Sequence, residues 1–377
     1  MTPLRAAVEQ SSVLITVGSG GVGKTTIAAT LALRAAMEGK GSLVCTIDPA
    51  KRLANALGLT ALGNVETPIA ESTFARAGLS PRAEMHAMML DMKRTWDELI
   101  ERRAPPDRRE RILNNRFYQS LSTALAGSHE YVAIEKLCEL RMHRGYPLIV
   151  LDTPPTTHAL DFLDAPGRIL DFLDNDAAKW LLTPAVAAGK IGLKLFNLGG
   201  SYVAKSIARI TGTETLQELA DFMLNISGMN ESFRERARQT RALLEADSTA
   251  FVLVTSPRVE RLDEALYFHD LLLQNHMKVA AIVANRVHVA PPPELWDELT
   301  HLAGPLRGQL EKTLAEAEQL ARQDELGVER LRQMGGETPV VQVPRFDEEV
   351  HDLGALYEAS RWLWDDLGLG QRKAISR

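Results

Sequence analysis

A mostly parallel α/β sheet carrying an inserted α-helical subdomain is the fold that this 377-residue sequence predicts, and three observations predict it. Short apolar runs bounded by turns or charges alternate with helical patterns along most of the chain. One of these runs passes through a glycine loop straight into a helix, at residues 13–26. Two long segments, 93–146 and 167–247, interrupt the alternation and read as helix.

The first element is the apolar run 13–17, followed by Gly18, Ser19, Gly20, Gly21, Val22, Gly23, Lys24, Thr25 and Thr26. The helix-forming stretch behind it continues until Gly39 stops it. The spacing fits G-x-x-x-x-G-K-[ST], a phosphate loop between a strand and a helix. Its glycines let successive backbone N–H groups face one anion, and the helix N-terminus adds its dipole. In such a loop Lys24 reaches the β and γ phosphates and Thr25 ligates magnesium. Together these features predict a P-loop NTPase core.

Further strands are expected at 42–47, 86–90, 147–151, 250–254, 279–285 and 340–343. Their apolarity is continuous rather than alternating, which suits a parallel sheet covered on both faces. Met85, Met88, Met89 and Met92 could line an adaptable groove, while the first three also read as a buried edge strand and its turn. Pro305 to about Met334 reads as a crossover helix packed on the sheet through Leu306, Leu310, Leu314 and Ala317. The expected division is a core of 1–92 plus 147–166 plus 248–377, and a helical subdomain of 93–146 plus 167–247.

Composition limits the function classes. Apolar content of 45% and charged content of 24% describe an ordinary globular chain, and a net charge of −6 argues against general nucleic-acid binding. The two cysteines, Cys45 and Cys138, lie far apart in a predicted strand and a predicted helix, so neither a disulfide framework nor a C-x-x-C zinc site is available. The N-terminus lacks the apolar segment of an export signal, and no uninterrupted apolar run reaches membrane-spanning length. A cytoplasmic location is expected.

An open α/β sheet keeps its chemistry at the carboxyl ends of its strands. There the sequence places Asp48, in TIDPAKRLANALG, and Asp152, in LDTPPTTHALDFL. One acid suits polarising an attacking water and the other suits holding a magnesium shell. Thr156 or Thr157 caps the next helix, and His158 reads as structural.

Taken together, GSGGVGKTT, DPAKRLANALG, DTPPTTHALDFL, VANRVH and VPRFDEEV resemble the ArsA-type ATPases, in order and along nearly the whole chain. That family includes arsenical-pump ATPases and targeting factors for tail-anchored membrane proteins, within the deviant Walker A group that holds the cell-division and partition ATPases. The segments MMLDMKRTWDEL, NNRFYQSLSTALAGSHEY and TSPRVERLDEAL are most similar to a bacterial branch of the family. The resemblance implies ATP and Mg2+ as ligands and a dimer or a hetero-oligomer with a related ATPase. It assigns Gly20, Gly21, Val22, Gly23, Lys24, Thr25 and Thr26 to the phosphates. Asp48 becomes the water-activating acid of the first switch, and Asp152 the second-switch acid near magnesium, directly or through water. Asn285 would read the adenine edge, and Pro344, Arg345 and Phe346 would form the loop against the base. Asn has the donor and acceptor that adenine's edge needs, and a Pro-Arg-Phe loop offers stacking surface.

Three departures limit the transfer. The clustered cysteines of arsenite pumping and the cysteine pair of the zinc clasp are both absent, and the family's signature lysine after the first loop glycine is here Ser19. In the family that lysine reaches the partner's nucleotide, so slow hydrolysis by the isolated chain is expected.

The helical insertion carries a second signal. Residues 177–213 contain no acidic side chain but include Lys179, Lys190, Lys194, Lys205 and Arg209. Helical geometry puts Lys190, Lys194 and Asn197 on one arc, with Ile191, Leu193, Leu195, Phe196 and Leu198 around the rest. A groove for a hydrophobic helix, a surface peripheral to anionic lipid, or a subdomain core helix with snorkelling lysines all fit. Three functions stay open: a dimeric ATP-hydrolysing switch, a regulatory subunit that binds ATP for structure, and the ATPase subunit of an anion pump.

Overall fold

Five consecutive residues that all avoid solvent, Val13–Val17, form β1, as a strand covered on both faces must. The computed structural model describes residues 2–48, 50–124, 128–154, 218, 221–222, 225, 230–301, 305–347 and 349–364. Among them the strands are β1, β2 (Ser42–Thr46), β3 (Thr67–Pro68), β4 (Met85–Met89), β5 (Leu148–Asp152), β6 (Thr249–Thr255), β7 (Val279–Val287) and β8 (Val340–Pro344). They form one sheet in the order β3-β4-β2-β5-β1-β6-β7-β8, parallel throughout except for β3.

The two-residue antiparallel β3 was not legible as a strand. It covers the flank of β4, so Met85 and Met88 are buried one strand in from the edge.

The described helices along the chain are α1 (Pro3–Gln10), α2 (Lys24–Met37), α3 (Arg52–Ala56), α4 (Glu71–Arg76), α5 (Met92–Arg103), α6 (Pro106–Leu113), α7 (Arg116–Ala124) and α8 (Ser128–His143). They continue with α9 (Asn230–Glu245), α10 (Val259–Gln274), α11 (Pro293–Thr300), α12 (Pro305–Met334) and α13 (Leu353–Leu363).

The chain divides into two units, 1–90 with 140–159 and 244–377, and 91–139 with 160–243. The first holds the sheet. Its core runs along α2, whose Ala28, Ala29, Leu31, Ala32 and Ala35 are all buried. Small alanines let this helix approach the sheet closely, and α13 closes over its far side. There the Arg34 guanidinium lies between the rings of Tyr357 and Trp364, at 5.2 and 5.3 Å from their centroids. Cys45 is buried in this unit and Cys138 in the other.

In the second unit, Asp91 caps α5 by accepting from the Arg94 backbone N–H at 2.9 Å. A buried ion pair joins Arg236 Nε to the carboxylate of Glu135 at 2.7 and 2.8 Å. The Tyr118 hydroxyl donates to Asp97 at 2.8 Å, and burial with that carboxylate pushes the phenol's pKa up. The expectations for Thr156, Thr157, His158 and 177–213 lie outside the described residues.

One expectation is corrected. The Leu306 and Leu310 stripe of α12 is not packed on the sheet: these side chains are 55% and 36% exposed. Instead α12 packs through Ala321, Asp324, Gly327, Val328 and Leu331. Thirty residues make a helix of about 45 Å, far longer than a five-residue strand, so only part of it can cover the sheet. Gly327 marks the close crossing, because a Cβ there would stand 2.1 Å from the Pro257 carbonyl oxygen.

Candidate functional site

The glycine loop leaves the carboxyl end of β1 in the middle of the sheet, between β5 and β6. Two of its glycines are demanded by geometry. Gly18 has φ +143° and a Cβ there would lie 2.0 Å from the Val254 carbonyl oxygen, while Gly23 has φ +100° and a Cβ would meet Asn285 Nδ2 at 2.2 Å. Gly23 also stands at the N-cap of α2, so the free N–H groups of that helix open into the loop. Gly20 and Gly21 form its more exposed part and Val22 is buried; Thr25 and Thr26 lie in the first turn of α2.

The loop is bound to its own lysine. Lys24 Nζ donates to the carbonyl oxygens of Gly18 and Ser19, both at 2.9 Å, and the residue is buried. Burial is the main reason its pKa falls to about 8, against the attraction of Asp152 and Asp48, which favour the charged form.

Beneath the loop stands Asp152, with no exposed surface. The parallel register places it level with Thr16 on β1 and Thr46 on β2. Its Oδ2 accepts from the hydroxyls of Thr25 and Thr46, each at 2.7 Å, whereas its Oδ1 is buried without a partner. Desolvation pushes its pKa up to about 6, although the two hydroxyls and Lys24 pull the other way. An oxygen left bare in this way, beside a Thr hydroxyl, has the chemistry of a hard divalent cation site completed by ligand oxygens and water. The residues present fit magnesium. Thr46, which completes the cluster, escaped the sequence reading; a polar residue ending a buried apolar strand was the available signal.

Asp48 follows β2 and is turned toward its own loop. Its Oδ1 accepts from the Ala50 N–H at 2.9 Å, an Asx turn, and its Oδ2 pairs with Arg52 at 3.3 Å. Ser19, nearly buried, donates to Glu264 Oε2 on α10 at 2.6 Å, and Arg261 pairs with the same oxygen at 3.4 Å.

Asn285, near the end of β7, donates from Nδ2 to the Val22 carbonyl at 2.7 Å and so braces the loop. Arg345 and Phe346 come directly after Pro344 ends β8, Arg345 exposed and Phe346 half-buried against the core. Sequence reasoning also passed over His288 and Asp324, which the structure joins to Arg345. All these residues belong to the first unit. The loop, Asp48 and Asp152 stand at the ends of neighbouring strands, and Asn285 reaches the same loop from β7.

Comparison with known proteins agrees with this geometry. The sequence model of the family described as "Anion-transporting ATPase" matches residues 11–295. The chain is 25% identical over 293 residues to the ATPase GET3C of Arabidopsis thaliana, covering 74% of this chain and 68% of that protein. It is 26% identical over 290 residues to the ATPase GET3B of the same plant, covering 72% and 62%. It thus spans about two thirds of the length of these two relatives. A candidate arsenical pump-driving ATPase of Halobacterium salinarum is 31% identical over 171 residues, 44% of this chain and 26% of that protein.

Proposed function

Because the chain belongs to the anion-transporting ATPase family and is an ATPase of that kind, we propose that it binds ATP with Mg2+ and hydrolyses it as a dimeric switch. The nucleotide state is coupled to a hydrophobic client or a membrane-associated partner. The observation that carries the reading is the cluster of Thr25, Asp152 and Thr46 under a loop whose lysine is tied to its own carbonyls. A buried carboxylate and a buried ammonium are costly without a ligand, and a polyphosphate with its cation satisfies both.

In this reading the N–H groups of Gly20 to Thr26 cradle the phosphates, and Lys24 leaves the Gly18 and Ser19 carbonyls for the β and γ oxygens. Thr25 and the bare Oδ1 of Asp152, the latter directly or through water, hold the magnesium ion, which neutralises charge on the transferring phosphoryl group. Asp48 orients and polarises the attacking water, and to do so it exchanges Arg52 for that water. Asn285 gives up Val22 for the adenine edge, with Pro344, Arg345 and Phe346 against the base.

The helical subdomain, 93–146 plus 167–247, carries the client or lipid surface, centred on Ile191 to Leu198. A cytoplasmic location, peripheral to the membrane at most, is part of this proposal; separately, no helix among the described residues is long and apolar enough to cross a membrane. The dimer is a homodimer or a pair with a related ATPase. No zinc clasp is assigned, and no nucleic acid. The bacterial-branch assignment rests on the segments quoted above. A second reading, a weakly hydrolysing regulatory subunit, is favoured by one observation: Ser19 is occupied by Glu264 where the resembled family has its lysine.

The test is phosphate release by the purified chain with magnesium and with a chelator, alongside its mass in solution with and without ATP. Magnesium-dependent release that rises with dimerisation supports the switch. Tight ATP binding without release supports the regulatory reading, and failure to bind ATP refutes both.

A further inference from the structure

At the carboxyl end of β7, outside the phosphate cluster, three side chains from three elements form a chain of hydrogen bonds. Arg345 Nη1 lies 3.2 Å from His288 Nε2, and His288 Nδ1 lies 2.7 Å from Asp324 Oδ2. The backbone N–H of His288 donates to the same carboxylate oxygen, also at 2.7 Å. A guanidinium can only donate, so His288 Nε2 is the acceptor and Nδ1 carries the proton that Asp324 receives. The imidazole thus bridges a buried carboxylate and an exposed guanidinium.

The backbone is built to make this contact. Arg286 has φ +62°, and the β7–β8 ladder skips it: Asn285 pairs with Val343, then Val287 with Pro344. Left-handed backbone at a non-glycine residue is strained, and a bulge of this sort re-aims the residues on either side. The register that follows brings His288 level with Arg345, whose own N–H donates to the Val287 carbonyl at 2.9 Å. In an unbroken strand Asn285 and His288, three residues apart, would fall on opposite faces; with Arg286 skipped they stand two paired positions apart, which brings them to one.

We infer that His288 and Asp324 are positioning residues that hold Arg345 at the purine end of the site, so that base recognition depends on a carboxylate from α12. The inference rests on the proposed role of Arg345 at the base. It adds that the loop after β8 does not set the guanidinium's place by itself: the buried Asp324 anchors the imidazole, and the imidazole anchors the guanidinium.

The test compares ATP with inorganic tripolyphosphate, which offers the phosphates without a base, by calorimetry in the presence of magnesium. His288→Leu should weaken ATP about three- to tenfold, the range for one lost hydrogen bond, and leave tripolyphosphate within about twofold. His288→Gln, whose amide oxygen can accept from Arg345, should recover at least half of the logarithmic loss. Arg345→Ala should weaken ATP selectively too, and the double variant should be no worse than the weaker single one.

Three results overturn the inference. Equal weakening of ATP and tripolyphosphate by His288→Leu would make the residue merely structural. Selective weakening by Arg345→Ala but not by His288→Leu would leave Arg345 at the base and remove its positioning pair. No effect of Arg345→Ala on the ratio would remove the base role of Arg345, and the pair with it.

Discussion

Replacing Asp152 by Asn should change the pH dependence of stability of the ligand-free protein by an amount that its environment sets. The carboxyl is fully buried and its pKa stands at about 6 instead of 3.8, chiefly through desolvation. A raised carboxyl pKa means that the folded chain binds a proton more tightly than the unfolded one. The stabilising effect of that proton is complete below 3.8 and is lost as pH rises through about 6, so the ionised group destabilises the fold above it. With those two values the cost is about 1 kcal/mol at pH ~4.5 and about 3 kcal/mol at pH ~7.5. Asn keeps an oxygen for Thr25 and Thr46 but cannot ionise. Its NH2 group takes the place of the unpartnered Oδ1, and that penalty is the same at every pH.

The slope is therefore the diagnostic quantity, and the offset is not. Urea unfolding from pH ~4.5 to ~7.5 should show the Asn variant gaining about 2 kcal/mol on the wild type across the range. In a Lys24→Met background the gain should be steeper, because Lys24 is among the groups that hold the Asp152 pKa down. Magnesium and ATP should stabilise the wild type more than the variant, since they relieve a charge that the variant lacks. Stability curves that run parallel with pH would show that Asp152 is not the burdened acid described here, and would take the best physical support from the magnesium assignment.

Other expectations follow from the same site. Lys24→Ala should abolish tight ATP binding, whereas Asp48→Asn should leave binding nearly intact and remove hydrolysis; equal loss of binding in both, by calorimetry, would defeat the role of Asp48. Ser19→Lys should speed hydrolysis only modestly, because Glu264 is already placed to capture the new ammonium, and adding Glu264→Gln should release it. The ceiling for a cation supplied by a partner is about 10³ to 10⁵ in rate, so fast wild-type turnover, unchanged by either substitution, would sink the missing-charge explanation. In the segment outside the described residues, changing Leu195 and Phe196 to Ser should reduce association with anionic vesicles or hydrophobic peptides. A collapse of about 2 to 5 kcal/mol per residue in unfolding experiments would instead mark them as core.

How much of this was legible depended on whether the signal was local. The strand, glycine loop and α2 follow one another within the stretch from Val13 to Met37, and each element states its own period. Asp48 and Asp152 could be found because a buried apolar run ending in an acid is visible in one dimension. Thr46 was visible only as a polar residue ending a buried strand; its role comes from lying level with Asp152 on the neighbouring strand, a pairing between residues 106 apart in sequence. His288 and Asp324 were hidden for the same reason, and more deeply, since the bulge at Arg286 changes which residues share a face. Periodicity assumes an unbroken strand. The α12 stripe misled in the opposite way: amphipathic spacing shows that a helix has an apolar side, but not that anything covers it.

The placement of Glu264 bears on which function the site performs. A carboxylate next to a phosphate loop is unfavourable once a polyphosphate arrives, and Glu264 is tied there by Ser19 at 2.6 Å and partly offset by Arg261 at 3.4 Å. Glu264 also acts on Lys24, favouring its charged form. In the ligand-free state it therefore helps keep the loop's ammonium protonated, against the burial that lowers its pKa. On nucleotide binding the same charge opposes the incoming anion, so Ser19 and Glu264 would have to separate, or Arg261 would have to take up the excess charge. Either movement would carry phosphate occupancy to the first turns of α10, where Arg261 and Glu264 stand. A double-mutant cycle of Ser19→Ala and Glu264→Gln on triphosphate affinity measures that link. If the two residues act as a latch, the substitutions should be non-additive and Glu264→Gln should tighten binding, most at low salt. Additive effects with no salt dependence would mean that the contact only fills space beside the loop.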